Sequence, residues 1–414
     1  MIHIGKGTIM LKKLPMFLFV LFTILLLCGC AQRAASNLIG KNAVSREAKV
    51  VEATPAAPHN IALMLPLKGD LAAKSYAIKN GFLAAYYASR DQKSAVDVNV
   101  IDTSGGDITS LYNRAVTSGA QVVVGPLTKS DVEVLSTLSV VPVPIIALNT
   151  LDNYSHHVTT NLYQFGLLPQ DEASQVADKI LAAQKKHVAV IAPATSWGEK
   201  VVASFKNRLQ TNGGQITAIT TYTTSEELSS QICQLLALDP TQMCIPRSSK
   251  NKREPSPLEH EIRHDIDAVF MVASPKQARQ IVPLLKFYYA GGLPVYSIAA
   301  VYSGNLQPNL DQDLNDVIFC AMPWVVRDPG ALPDKLPAIH KEIVTTWPDS
   351  FASYSELYAL GVDAYFLATS LHKIVMNPQV GTPGATGVLY LDNYNHFYRQ
   401  LDWLRFQGGV PAPL

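Results

Sequence analysis

The sequence predicts an α/β protein built as two doubly wound lobes. Three observations carry that expectation. Apolar runs of strand length alternate with helical stretches of about 10 to 15 residues, the pattern of a parallel sheet covered on both faces with right-handed crossovers. The alternation occurs in two successive sets of similar size, and neither contains a nucleotide-binding fingerprint. Finally, 48% of the 414 residues are hydrophobic and only 16% are charged, so the chain can bury a sizeable core in one or two domains.

In the first set, the strand NIALMLPL (Asn60–Leu67) stops at Pro66, Lys68 and Gly69, and helical spacing follows in Ser75–Arg90. The strand VDVNVIDT, the helix around ITSLYNRAVTSG, the strand AQVVVGPL, the helix KSDVEVLSTLS and the strand VPIIALNT continue the alternation. The second set opens with the helix Pro169–Lys186 and the strand HVAVIAP. It proceeds through QITAITTY, IDAVFMVA and PVYSIAA, each preceded by a helix, to the apolar stretch DVIFCAMPW. Asp239–Asp265 interrupts it, dense in Pro, Ser and basic side chains, and reads as a polar surface excursion.

Ahead of the body, Lys6, Lys12 and Lys13 precede an apolar run of about 16 residues, Leu14–Gly29. That is short for a spanning helix, which needs about 20, and right for a secretory signal. Leu27-Cys28-Gly29-Cys30 has the form cut by lipoprotein signal peptidase, which makes Cys30 the lipidated first residue, held to a bilayer by its acyl chains. Ala31 stands where an Asp would indicate inner-membrane retention, so the outer membrane is expected. Residues 1–29 are read as the signal peptide and 30–58, Ala-rich and unpatterned, as a flexible tether. Removal of residues 1–29 takes away three lysines and leaves 31 basic against 33 acidic residues, a balance too near neutral to suggest nucleic acid.

Catalytic signatures are sparse. HEIRH (His260, Glu261, His264) has the spacing of a zinc site on a helix, but it follows Pro255 and Pro257 and runs almost at once into a strand, so the expectation is no metal and no enzyme. No Gly-x-Ser-x-Gly elbow or phosphate-binding loop is present, and no cofactor is expected. The strand ends nominate a cleft lined by Lys68, Thr128, Asn149, Thr150, Ser196, Trp197 and Ser274. Taken singly, Ser196 and Ser274 read as helix caps and Asn149 as a turn residue. For an exported chain, Cys233 and Cys244 are candidates for a short disulfide that leaves Cys320 odd. Three buried thiols are the alternative.

The opening IALMLPLKGDLAAKSYAIKNGFLAAYY and the order of lobes resemble type I periplasmic binding proteins. The segments VVVGPLTKSDVEVL, PIIALNT, DIDAVFMVASPKQARQIVPLLKFYYAGGLPVY, YALGVDAYFLA and GATGVLYLDNYNHFYRQLDWLRFQGG resemble the LpoA/LppC family over about residues 59–410. The resemblance implies a lipid-anchored, non-enzymatic regulator of peptidoglycan synthesis that binds and activates a bifunctional penicillin-binding protein from the outer membrane. A periplasmic receptor for an amino acid or small peptide is the alternative, and a small-molecule ligand stays open. The best-known members carry a further helical-repeat domain between lipid and body, where this chain offers about 28 residues, at most about 100 Å when extended. The family topology further implies lobe 1 from residues 59–163 and 325–385 and lobe 2 from 164–324 and 386–410. Crossings are expected near Asn161–Pro169, Met322–Trp324 and Gly384–Gly387.

Overall fold

The computed structural model describes residues 58–90, 96–152, 158–237 and 263–414. The signal peptide, Cys30, all of the tether but Pro58, Cys244, His260, Glu261 and nearly all of the surface excursion lie outside the described residues.

The first half alternates as the sequence predicts. β1 (Asn60–Leu65), α1 (Ala72–Ser89), β2 (Asp97–Asp102), α2 (Ile108–Thr117), β3 (Val122–Val124), α3 (Lys129–Ser136), β4 (Ile145–Ala147) and β5 (Leu162–Phe165) follow one another. β3, β4 and β5 are buried throughout and β1 nearly so, as expected for strands covered on both faces. The helices start where short polar side chains take up free amides: Asp107 accepts from the N–H of Ser110 at 2.8 Å, and Thr128 from that of Asp131 at 3.2 Å.

The second half holds α4 (Pro169–Ala182), β6 (His187–Pro193), α5 (Ser196–Thr211), β7 (Gln215–Tyr222), α6 (Leu228–Leu236), β8 (Ala268–Met271), α7 (Pro275–Phe287), β9 (Val295–Ser297) and β10 (Ile318–Ala321). Phe205 of α5 and Phe270 of β8 stack with ring centroids 4.0 Å apart, joining that helix to its sheet. The chain then forms α8 (Leu336–Thr346), α9 (Pro348–Met376), β11 (Thr382–Pro383), β12 (Val388–Leu391), β13 (His396–Gln400), β14 (Asp402–Gln407) and β15 (Val410–Pro413).

Two sheets result, with orders β11-β12-β13-β5-β4-β3-β1-β2 and β15-β14-β10-β9-β8-β6-β7. The first two passages between sheets fall near the expected places, after Phe165 and after Ala321. The third does not. β13 pairs parallel with β5, His396 against Gln164 and Phe397 against Phe165, and β12 pairs antiparallel with β13. Residues 388–400 therefore belong to the first sheet, and the chain changes sheet at Leu401, not at Gly384–Gly387. The Asp392 carboxylate accepts the N–H groups of Tyr394 and His396, at 2.8 and 2.9 Å, and turns β12 into β13, and the physical reason for the sheet choice is the pairing of His396 and Phe397 with β5, a non-local contact. Only 402–413 joins the second sheet, where β14 runs antiparallel to β10.

α9 packs on α1 through two glycines. A Cβ at Gly81 would collide with the carbonyl oxygen of Tyr358, and one at Gly361 with that of Ile78, so the two backbones approach closely only because neither residue carries a side chain. Both sheets lie in one compact unit, Pro55–Leu414, and one continuous apolar core runs from β1 and α1 through α4 to β8 and Trp324. No helix among the described residues is long and apolar enough to cross a membrane.

Candidate functional site

The N-terminal half of α4 leaves the first sheet and enters the second, so its side chains meet groups from both. Pro169 fixes the first turn and Asp171 and Glu172 follow, acidic residues at the favourable end of the helix dipole. Glu172 points inward. Its Oε2 accepts the N–H of Ala299, beyond β9, at 3.1 Å, and its Oε1 lies 3.4 Å from Nη2 of Arg399 on β13. Arg399 is 1% exposed. Burial pushes the Glu172 carboxyl up to about 7, against the opposing pull of Arg399.

Around this pair lies a set of further buried groups. Asp171 stands 3.5 Å from Nε2 of His396, whose Nδ1 is 3.6 Å from Asp392. Asp363 of α9 accepts the N–H groups of Ala385 and Thr386 at 2.7 Å each and the Thr386 hydroxyl at 2.6 Å. Burial nonetheless pushes it up to about 6. Cys320 of β10 is a free, buried thiol pushed well up by burial and next by Glu172. Gln175, one turn on from Asp171, donates to the carbonyl of Arg399 at 2.8 Å and accepts the N–H of Leu401 at 3.1 Å. It thereby satisfies the backbone at the point where the chain changes sheet.

Outside this junction opens a cleft of about 640 Å³, bounded by the loop after β4, the start of α4 and the flank of α5. Asp152 stands at its mouth. It pairs with Lys129 on its own side and with Lys200 of α5, 3.3 Å away, and its carboxyl is held below the usual range first by Lys129 and then by Lys200. Thr150 lines the cleft, is 3% exposed, and its hydroxyl has no hydrogen-bond partner among the described residues.

Of the seven residues nominated from strand ends, Thr150 is the one in this cleft. Lys68 is exposed and pairs with Asp102 at 3.2 Å. Thr128 caps α3, and Asn149 bonds the carbonyl of Leu127 at 2.9 Å and the N–H of Thr150. Ser274 shares a capping box with Gln277, while Ser196 is the exposed first residue of α5, whose cap is Thr195. Trp197 is 39% exposed. Thr128, Asn149 and Ser274 thus act as caps and a turn residue at separate strand ends, whereas the cap expected at Ser196 falls to Thr195. Cys233 is disulfide-bonded. His264 lies in an exposed bend before β8, and no cluster among the described residues is arranged to hold a metal. The junction residues Glu172, Arg399 and His396 went unmarked in the sequence, because the contact needs β13 beside β5. The acidic first turn after Pro169 was their one local signal.

Residues 47–409 match the family model described as "LppC putative lipoprotein". A relative in Photobacterium profundum, named penicillin-binding protein activator LpoA, is 24% identical over 356 residues, covering 85% of this chain and 57% of that protein. The chain spans about half the length of the curated relatives it matches, 46% in the case of Edwardsiella piscicida. Among solved structures, the LpoA C-domain from Haemophilus influenzae, described as a regulator of PBP1A, superposes with a TM-score of 0.67 at 24% identity, covering 86% of this chain and 99% of that one. A Chromobacterium violaceum protein described as "a putative branched-chain amino acid ABC transporter" superposes with a TM-score of 0.61 at 23% identity, covering 84% and 99%. The fold is that of the type I periplasmic binding proteins.

Proposed function

The chain belongs to the LppC lipoprotein family, and from that premise we propose that it is a lipid-anchored, non-enzymatic regulator of peptidoglycan synthesis. It binds and activates a bifunctional penicillin-binding protein while held by Cys30 to the periplasmic side of the outer membrane. The observation that carries this reading is the extent of the family match, which runs through both sheets and all three passages between them and is shared with relatives named as penicillin-binding protein activators.

The geometry supports a docking body over a solute receptor. In a receptor the lobes must part to admit a ligand. Here Glu172 meets Arg399 and Gln175 clamps Arg399 and Leu401, so the junction is bridged by buried contacts of the chain itself. Parting the sheets at that point would leave charges buried and unpaired.

The test is peptide cross-linking by the organism's bifunctional synthases, with and without the body Pro55–Leu414. A rise with one synthase, together with direct binding, is expected. It would show that the part of the longer relatives lying outside the match is not needed for activation. No rise with any synthase, combined with a Tm increase on adding an amino acid or small peptide, would overturn the reading in favour of a receptor. Anchoring is checked separately: Cys30→Ala is expected to leave an unprocessed precursor outside the outer-membrane fraction.

A further inference from the structure

At the third passage between the sheets, a shelf opens on the outside of the molecule. It has a volume of about 430 Å³, within the range of small-ligand sites. One wall is a single face of α4, carrying Asp178 and Lys179. The floor is the outward face of the β12–β13 hairpin, with Tyr390, Tyr398 and Gln400, and Trp403 of β14 closes the end. Tyr390 and Tyr398 are direct cross-strand partners, and their rings lie nearly parallel, 15° apart with centroids at 5.3 Å. Gly381 makes room for the Tyr390 hydroxyl end, which a Cβ at that position would strike. Tyr398 is 38% exposed.

The polar groups on this shelf are mostly donors. Tyr390 donates to Oε1 of Gln400 at 3.2 Å, which turns the amide so that its NH2 group is left for a ligand. Asp178 is held by Arg208 in a two-pronged pair, at 2.7 and 2.9 Å, so it offers little accepting capacity and no net charge. The Lys179 ammonium sits 5.2 Å from the centre of the Trp403 ring and forms no ion pair among the described residues, which leaves the shelf with one positive charge.

We propose that this shelf binds a saccharide carrying a carboxylate. The stacked tyrosines and Trp403 supply aromatic surface for the C–H face of a pyranose, the Gln400 amide and Tyr398 hydroxyl suit ring hydroxyls, and Lys179 supplies the countercharge for an acid group. A flat aromatic ligand would satisfy the rings and leave the donors idle. Because the floor belongs to the first sheet and Trp403 to the second, an occupant bridges the two sheets at Leu401. This inference stands apart from the activator reading, since binding is measured with no synthase present and either can fail alone.

The experiment is calorimetric titration of the full chain in detergent with three probes: soluble glycan fragments released from peptidoglycan, a uronic-acid disaccharide and a neutral chito-oligosaccharide. Peptidoglycan fragments or the uronic acid are expected to bind more tightly than the neutral sugar, and which of the two does so identifies the source. Tyr398→Ala and Trp403→Ala are expected to weaken binding about tenfold or more, within the effect of losing one stacking contact. Lys179→Gln is expected to erase the preference for the acid. Melting curves of the three variants, kept within a few degrees of wild type, exclude unfolding as the cause; Gln400→Ala supplies a further shelf variant if one of them melts early. Absence of heat with all three probes, or unchanged affinity in well-folded Tyr398→Ala and Trp403→Ala, overturns the proposal. Equal affinity for acidic and neutral sugars overturns the carboxylate.

Discussion

Arg399 of β13 and Glu172 of α4 meet 3.4 Å apart where the two sheets join, and both side chains are buried. A buried pair is weak evidence of stabilisation in itself, since removing both charges from water costs much of what their attraction returns. Breaking it is another matter, because the surviving charge is left without a partner.

Arg399→Met and Glu172→Leu are therefore each expected to destabilise the body by about 3–5 kcal/mol, and the double variant that combines them to recover most of that loss. Urea unfolding of the four proteins, read as a double-mutant cycle, measures the coupling. A single variant that unfolds at the wild-type midpoint would show that the pair carries no weight.

The pH dependence follows from the same junction. Glu172 is pushed up to about 7 from 4.5 by burial, with Arg399 opposing and Glu356 adding to the rise, and Asp363 is pushed up to about 6 from 3.8. A carboxyl whose pKa is higher folded than unfolded holds its proton more tightly in the folded state. Its contribution is complete below the unfolded value and is lost as pH rises through the folded one. Melting temperature is thus expected to fall by about 2–5 °C between pH 5 and pH 8. Glu172→Gln, which keeps an acceptor for the Ala299 N–H, should flatten the slope. A Tm that rises over that interval contradicts the assignment.

Much of this architecture was legible in the sequence because it depends on local pattern. The strand HVAVIAP and the helix of α4 fall where periodicity and Pro169 place them, and Ser274 behaves as the cap that its chemistry allows. What escaped was non-local. Alternation of apolar and polar residues around NYNHFYRQ suits a hairpin but cannot tell which sheet it extends, since that choice rests on His396 and Phe397 pairing with a strand more than 200 residues away. The junction went unseen for the same reason, as Arg399 has no partner until β13 lies beside β5.

Gly361→Ala tests the contact between α1 and α9. In most helices this change is favourable by up to about 1 kcal/mol, because alanine loses less backbone entropy. Here the new methyl group meets the carbonyl of Ile78, a backbone atom that cannot rotate away, so the helices must separate. A net loss of about 1–3 kcal/mol is expected from chemical denaturation, and Gly81→Ala, facing Tyr358, should behave alike. A stabilised variant would mean that the two helices part without cost.

The cysteines give the last prediction. Cys233 is disulfide-bonded and Cys320 is a free thiol buried in β10. The body Pro55–Leu414 has three cysteines, these two and Cys244, so within it the partner of Cys233 is expected to be Cys244. A digest under non-reducing conditions should yield one linked pair of peptides that separates on reduction. Thiol titration should find no fast-reacting group in the native body, because burial holds the Cys320 thiol protonated, and one group after denaturation. Closing a loop this short removes limited entropy from the unfolded chain, so reduction is expected to lower stability by about 2–3 kcal/mol without abolishing the fold. Three titratable thiols in the denatured, unreduced body would show that no such bond forms. One reactive thiol in the native state would place Cys320 nearer the surface than β10 allows.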